Sequence, residues 1–86
     1  MQLSFTNRVL EIVKTIPRGN TMSYADVAEA AGSPGAARAV GSLMKQNHNP
    51  SVPCHRVIKS DGTPGEYNGG AEKKIALLRN EGANIR

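Results

Sequence analysis

Residues 23–47 read "SYADVAEAAGSPGAARAVGSLMKQN", and the punctuation inside this stretch decides the fold. Ser23 stands where an N-cap would, with Asp26 three residues on. A serine hydroxyl there accepts a backbone N–H of the first turn, and an early acid complements the helix dipole. "YADVAEAAG" then predicts a short helix stopped at Gly32. Ser33 as cap and Pro34 as opening residue predict a second helix over about residues 34 to 46, since proline's missing N–H is no loss in a first turn. Two short helices joined by a glycine-containing turn form a helix-turn-helix signature. The "GAARAVG" face of the second helix is glycine and alanine with one long cation, Arg38. Such a face fits a phosphodiester chain or a neighbouring helix, and the residues alone leave both open.

Outward from this core, Phe5, Val9, Ile12, Val13 and Ile16 recur at helical spacing until Pro17 and Gly19, predicting a first helix over about residues 5 to 16. On the other side, "NHNPSVP", residues 47–53, holds two prolines and predicts an irregular connection. Val57 and Ile58 predict a short strand, followed by the turn "SDGTPG" and the glycine-rich "EYNGG". A last amphipathic helix, about residues 71 to 81, is expected to bury Ile75, Leu77 and Leu78 and to stop at Gly82.

A chain of 86 residues makes one domain, and at that length only about 60 to 65% of the unfolded surface is buried. With 38% hydrophobic residues but only one Phe, two Tyr and no Trp, aliphatic side chains must fill the core, which suits a small helical domain. The single cysteine cannot form an internal disulfide, and no apolar run exceeds the four residues Ile75–Leu78, so neither secretion nor a membrane span is indicated. The expectation is a cytoplasmic protein, or a nuclear one in a eukaryote. Net charge is +4, but its distribution says more: no acid lies between Glu29 and Asp61. That window carries Arg38, Lys45, Arg56 and Lys59 with both histidines, His48 and His55, an electropositive span suited to phosphate.

The one thiol, Cys54, sits in "SVPCHRVI", residues 51–58. A lone cysteine is either a small buried hydrophobe or a nucleophile whose thiolate is favoured by nearby cations. His55 is an adjacent base, yet neighbours in an extended segment point to opposite sides, so a third group or a bridging water has to link them. His48, Cys54 and His55 do not fit a recurrent zinc spacing, and no metal or cofactor is expected.

Together, "PCHRVI" preceded by "AARAVG" and followed by "GEYNGG" and "LLRNEG" resembles the DNA-binding, active-site domain of the O6-alkylguanine-DNA alkyltransferases, from about Phe5 to Gly82. The resemblance implies a mainly α, winged-helix-like domain with a helix-turn-helix and a small strand and loop region carrying the active-site cysteine. It implies a monomer that binds double-stranded DNA in the minor groove, flips an alkylated guanine and transfers the alkyl group irreversibly to the cysteine. By the matching motifs Cys54 is the acceptor, His55 the base acting through a water, and Glu81 the residue that holds His55. Arg38 corresponds to the finger that fills the gap left by the flipped base, and Tyr24 to the tyrosine that crowds the target's phosphate and reaches the base. Asn47 resembles the asparagine that braces the turn after the recognition helix. Lys45, Arg56, Ala36 and Ala37 fall on the DNA side, while Met44, Val57, Tyr67, Asn68 and Gly69 fall around the base pocket.

Two departures accompany the match. Full-length members carry an additional N-terminal domain not found here, and "NHNPSVPC" is one residue shorter than the usual form, so Asn47 or Asn49 takes the bracing role. Short chains also resemble the alkyltransferase-like proteins, which flag lesions without transfer and commonly replace the acceptor cysteine with tryptophan; Cys54 favours transfer. A transcription factor reading the major groove is a third possibility from another class, disfavoured because only Arg38 and Ser42 are polar on residues 34–42.

Overall fold

The structure is a computed structural model describing residues 4–65, 67 and 69–83. Among the described residues, four helices and two short strands follow in the order α1 (Phe5–Lys14), β1 (Met22–Ser23), α2 (Tyr24–Ala30), α3 (Ala37–Gln46), a 3-10 turn (Cys54–Arg56), β2 (Val57–Ile58) and α4 (Ala71–Asn80). Helices α2 and α3 pack against each other as the helix-turn-helix, with α1 against α2. Among the described residues no helix is long and apolar enough to cross a membrane.

Local chemistry explains most of the boundaries. Ser4 caps α1 by accepting the Asn7 N–H at 3.2 Å, and Ser23 caps α2 by accepting the Asp26 N–H at 3.0 Å. Helix α1 ends at Lys14, earlier than its apolar spacing predicts, because Pro17 turns the preceding backbone away from helical geometry. Ile16 is still buried, carried inward by a tighter last turn in which its N–H meets the Val13 carbonyl at 3.1 Å.

Helix α3 corrects the reading of Ser33 and Pro34 as its start. Residues 33–36 form a separate turn, closed by the Ala36 N–H on the Ser33 carbonyl at 3.1 Å, and the helix begins at Ala37 with Ala36 as a cap that offers no side-chain bond. Gly35 at φ +89° is the reason, since that left-handed backbone cannot continue a right-handed helix.

Val9 and Val13 of α1, Val27 and Ala28 of α2, and Val40 and Met44 of α3 form the main core with Val52, Cys54 and Val57. Each fully buried aliphatic side chain contributes about 1.5 to 3 kcal/mol relative to exposure. Strands β1 and β2 pair in parallel, Met22 opposite Val57 and Ser23 opposite Ile58, which ties the entry to the helix-turn-helix to the segment bearing Cys54. A smaller cluster of Ile58, Leu78 and Ala83 seats α4. Here the expectation needs correction: Leu78 is fully buried, but Ile75 and Leu77 are only half-buried, and Lys74 is the other α4 side chain with no exposed surface.

Candidate active site

The loop from α3 to the 3-10 turn is held by asparagines. Asn47 Nδ2 donates to the Asn49 and Val52 carbonyls, each at 3.3 Å, while Asn47 Oδ1 accepts the Asn49 N–H at 3.2 Å. Asn49 Oδ1 accepts only the local Ser51 N–H at 2.9 Å, so the brace across the loop is Asn47. Residues 54–56 turn as a 3-10 helix, so Cys54 and His55 are not neighbours in an extended segment, and the Cys54 N–H meets the Val52 carbonyl at 2.8 Å. Cys54 is free and 5% exposed, on the wall of a cleft of about 530 Å³. Lys14, His48, His55, Tyr67 and Lys73 share that wall.

His55 reaches the far end of α4. Its Nε2 lies 3.0 Å from Glu81 Oε2, and an ionised carboxylate accepts, so Nε2 carries the proton and Nδ1 is the basic nitrogen. Glu81 caps α4 and also takes Arg56 on both oxygens, Nε to Oε1 at 2.9 Å and Nη2 to Oε2 at 2.8 Å. The Arg56 hydrogen bonds, followed by His55, hold the Glu81 carboxyl down at about 2, against the opposing effect of burial. The same bonds hold the Arg56 guanidinium above its ordinary value. Burial raises the Tyr67 phenol, and the electrostatic interaction with neighbouring Cys54 raises it further.

A second groove, of about 470 Å³, runs along α3 and is lined by Tyr24, Ala37, Arg38, Gly41, Ser42, Lys45 and Lys59. Arg38, Lys45 and Lys59 are exposed there, and no acid among the described residues joins them. Tyr24 is buried to 9% exposure, its hydroxyl accepting from Lys74 Nζ at 3.0 Å; that ammonium also donates to the Val57 carbonyl at 2.5 Å and lies 5.3 Å from the Tyr24 ring centre. Lys74 is the residue that sequence reasoning missed, since a lysine in an amphipathic helix reads as solvent-facing; the available signal was its spacing of four from Leu78, which puts both on one helix face.

The structure therefore gathers Cys54, His55, Tyr67 and Asn47 at one cleft with Glu81 behind His55, and gathers Tyr24, Arg38, Ala37 and Lys45 at the other. Three expectations change. Arg56 lines the Cys54 cleft but is half-buried, its guanidinium donating to both Glu81 oxygens and to the Ile16 carbonyl at 2.8 Å. Met44 and Val57 have no exposed surface and pack in the core, Met44 because it lies one turn after Val40 on the inward face of α3, Val57 because β2 is covered by α2. Ala36 is half-buried against that core, and Gly69 is exposed beside the Tyr67 ring. Asn68 lies outside the described residues.

Comparison with known proteins places this arrangement. Residues 4–83 match the family model described as 6-O-methylguanine DNA methyltransferase, DNA binding domain. A methylated-DNA--protein-cysteine methyltransferase of Methanothermobacter thermautotrophicus is 45% identical over 82 residues, covering 94% of this chain and 46% of that protein. The crystal structure of Mycobacterium tuberculosis OGT in complex with DNA superposes with a TM-score of 0.86 at 44% identity, over 95% of this chain and 52% of the other. S. pombe Atl1, in complex with damaged DNA containing O6-carboxymethylguanine, superposes with a TM-score of 0.85 at 36% identity, over 100% of this chain and 83% of the other. The chain spans about half the length of the curated relatives it matches. A match over nearly all of its residues, at this identity and with this fold, means that the chain belongs to the 6-O-methylguanine DNA methyltransferase family through that family's DNA-binding domain.

Proposed function

We propose that this domain repairs DNA by moving an alkyl group from O6 of an everted guanine to Cys54, once per molecule. The observation that carries the reading is the line of polar groups behind the thiol: Glu81 accepts from His55 Nε2 at 3.0 Å, and the opposite ring nitrogen belongs to the residue next to Cys54 in the same cleft. His55 Nδ1 takes the thiol proton, directly or through a bridging water. The thiolate attacks the alkyl carbon, a carbon–sulfur bond forms as the bond to O6 breaks, and the electron pair left on the purine takes up a proton to give guanine. The product is a thioether with no easy route back to a thiol, so turnover stops.

Eversion fits the second groove. Lys45 and Lys59 meet phosphates and set affinity without sequence preference, as a scanning protein requires, and Arg38 occupies the space left in the duplex. Unstacking a base costs a few kcal/mol and least for a damaged, weakly paired one, which gives selectivity for the lesion. Tyr24, its hydroxyl held by Lys74, lines the same groove along α3.

The test is the intact mass of the protein after incubation with a duplex containing O6-methylguanine. One added methylene unit, absent in Cys54→Ala, is the expected result; an unchanged mass defeats the proposal. A second reading, a sensor that binds the lesion and leaves it in place, is favoured by the superposition on S. pombe Atl1 in complex with damaged DNA, at a TM-score of 0.85. Tight binding with the methyl still on DNA selects it.

A further inference from the structure

The Arg56 guanidinium is held on three sides: Nε and Nη2 on the two Glu81 oxygens at 2.9 and 2.8 Å, and Nη1 on the Ile16 carbonyl at 2.8 Å. Its side chain is 17% exposed, and that of Glu81 8%. A cation placed to meet a phosphate points outward on a mobile stem. Arg56 is folded inward and joins the end of α1, the 3-10 turn and the cap of α4. A planar fork giving parallel bonds to one carboxylate is geometry that only arginine supplies; lysine is a point charge.

We infer that Arg56 is a positioning residue of the transfer reaction, acting through Glu81 on the His55 ring, and not a DNA contact. The inference rests on the function proposed above. Glu81 Oε2 accepts from both Arg56 Nη2 and His55 Nε2, while Oε1 is taken by Arg56 Nε, so the carboxylate cannot rotate and keeps one lone pair aimed at the ring. That fixes the proton on Nε2 and leaves Nδ1 as the acceptor. Arg56 also balances the Glu81 charge. With Arg56 gone, the carboxylate is free to rotate and no longer holds the ring in one orientation and tautomer. Lys14, His48, Lys73 and Tyr67 are the other titratable groups that line the same cleft. The Glu81 backbone is held separately, its N–H on the Leu77 and Leu78 carbonyls at 3.1 Å. Loss of Arg56 therefore frees the carboxylate without uncapping α4.

The experiment compares wild type with Arg56→Gln and Arg56→Lys by three readouts. In single-turnover transfer from an O6-methylguanine duplex, Arg56→Gln is expected to be roughly 10- to 100-fold slower, the range seen when the orienting partner of a metal-bound histidine is removed. Arg56→Lys falls between. Lesion-duplex affinity against salt keeps its wild-type slope in both variants. Nitrogen chemical shifts of the His55 ring, measured without DNA, show a single Nε2–H form in wild type and mixed forms in Arg56→Gln. Wild-type rates and ring shifts in both variants overturn the inference, as does a salt slope reduced by about one, the mark of a lost phosphate contact. If wild type transfers no methyl, the proposed function fails while the ring shifts still decide the role of Arg56. Arg56→Lys supplies the same readouts if glutamine unfolds the domain.

Discussion

At the residue scale, Glu81 couples the site to stability. Its carboxyl sits at about 2 when folded, against an ordinary 4.5, so the unfolded chain binds the proton more readily. The resulting stability is fully present above the ordinary value and is lost as pH falls from about 4.5 to about 2. Discounted for solvent entering by the cleft, the contribution is about 2 kcal/mol. Urea midpoints for wild type and Glu81→Gln should therefore differ near neutrality and converge in acid. Gly65 offers a second check. It has φ +75°, and a Cβ there would lie 2.8 Å from the Tyr24 hydroxyl and ring, so Gly65→Ala must strain the backbone and displace Tyr24. A loss of about 1 to 3 kcal/mol is expected, read from thermal unfolding. The pairing of His55 with Glu81 followed in the sequence only from the family motifs, since 26 residues separate them. The role of Arg56 was hidden altogether, because a charge in a sequence carries no sign of which partner claims it.

At the element scale, caps and punctuation were the readable features. Ser23 and Gly32 bound α2 where the sequence places them, and Ser23→Ala should cost about 1 kcal/mol, measured by urea unfolding, by removing the acceptor for the Asp26 N–H. The start of α3 was misplaced because Ser-Pro reads as a helix opening unless the sign of φ at Gly35 is known. Strand β1 was invisible for another reason: two residues pairing in parallel with a segment 35 positions away leave no local periodicity. Lys74 joins α4 to Tyr24 and to the Val57 carbonyl inside the core. Lys74→Met leaves the Val57 carbonyl without that donor and is expected to lower stability by about 1 to 3 kcal/mol in urea unfolding.

At the scale of the whole molecule, charge and fold point to the same face. The stretch free of acids from residue 30 to 60 folds so that Arg38, Lys45 and Lys59 line one groove, which sequence charge alone could not distinguish from a solvated surface. If phosphates bind there, Lys45→Ala and Lys59→Ala should each weaken binding to damaged and intact duplex alike and reduce the slope of log Kd against log salt by about 1, in fluorescence titrations. The recess of Cys54 carries a different consequence. With 5% of the residue's surface open, Cys54 is shielded from collisions with bulky soluble electrophiles, while the cleft beside it leaves one open approach. An acceptor that works a single time is ruined by any stray reagent. On the proposed function, this seclusion guards the sulfur's reactivity, reserving it for a partner that arrives already oriented by a duplex.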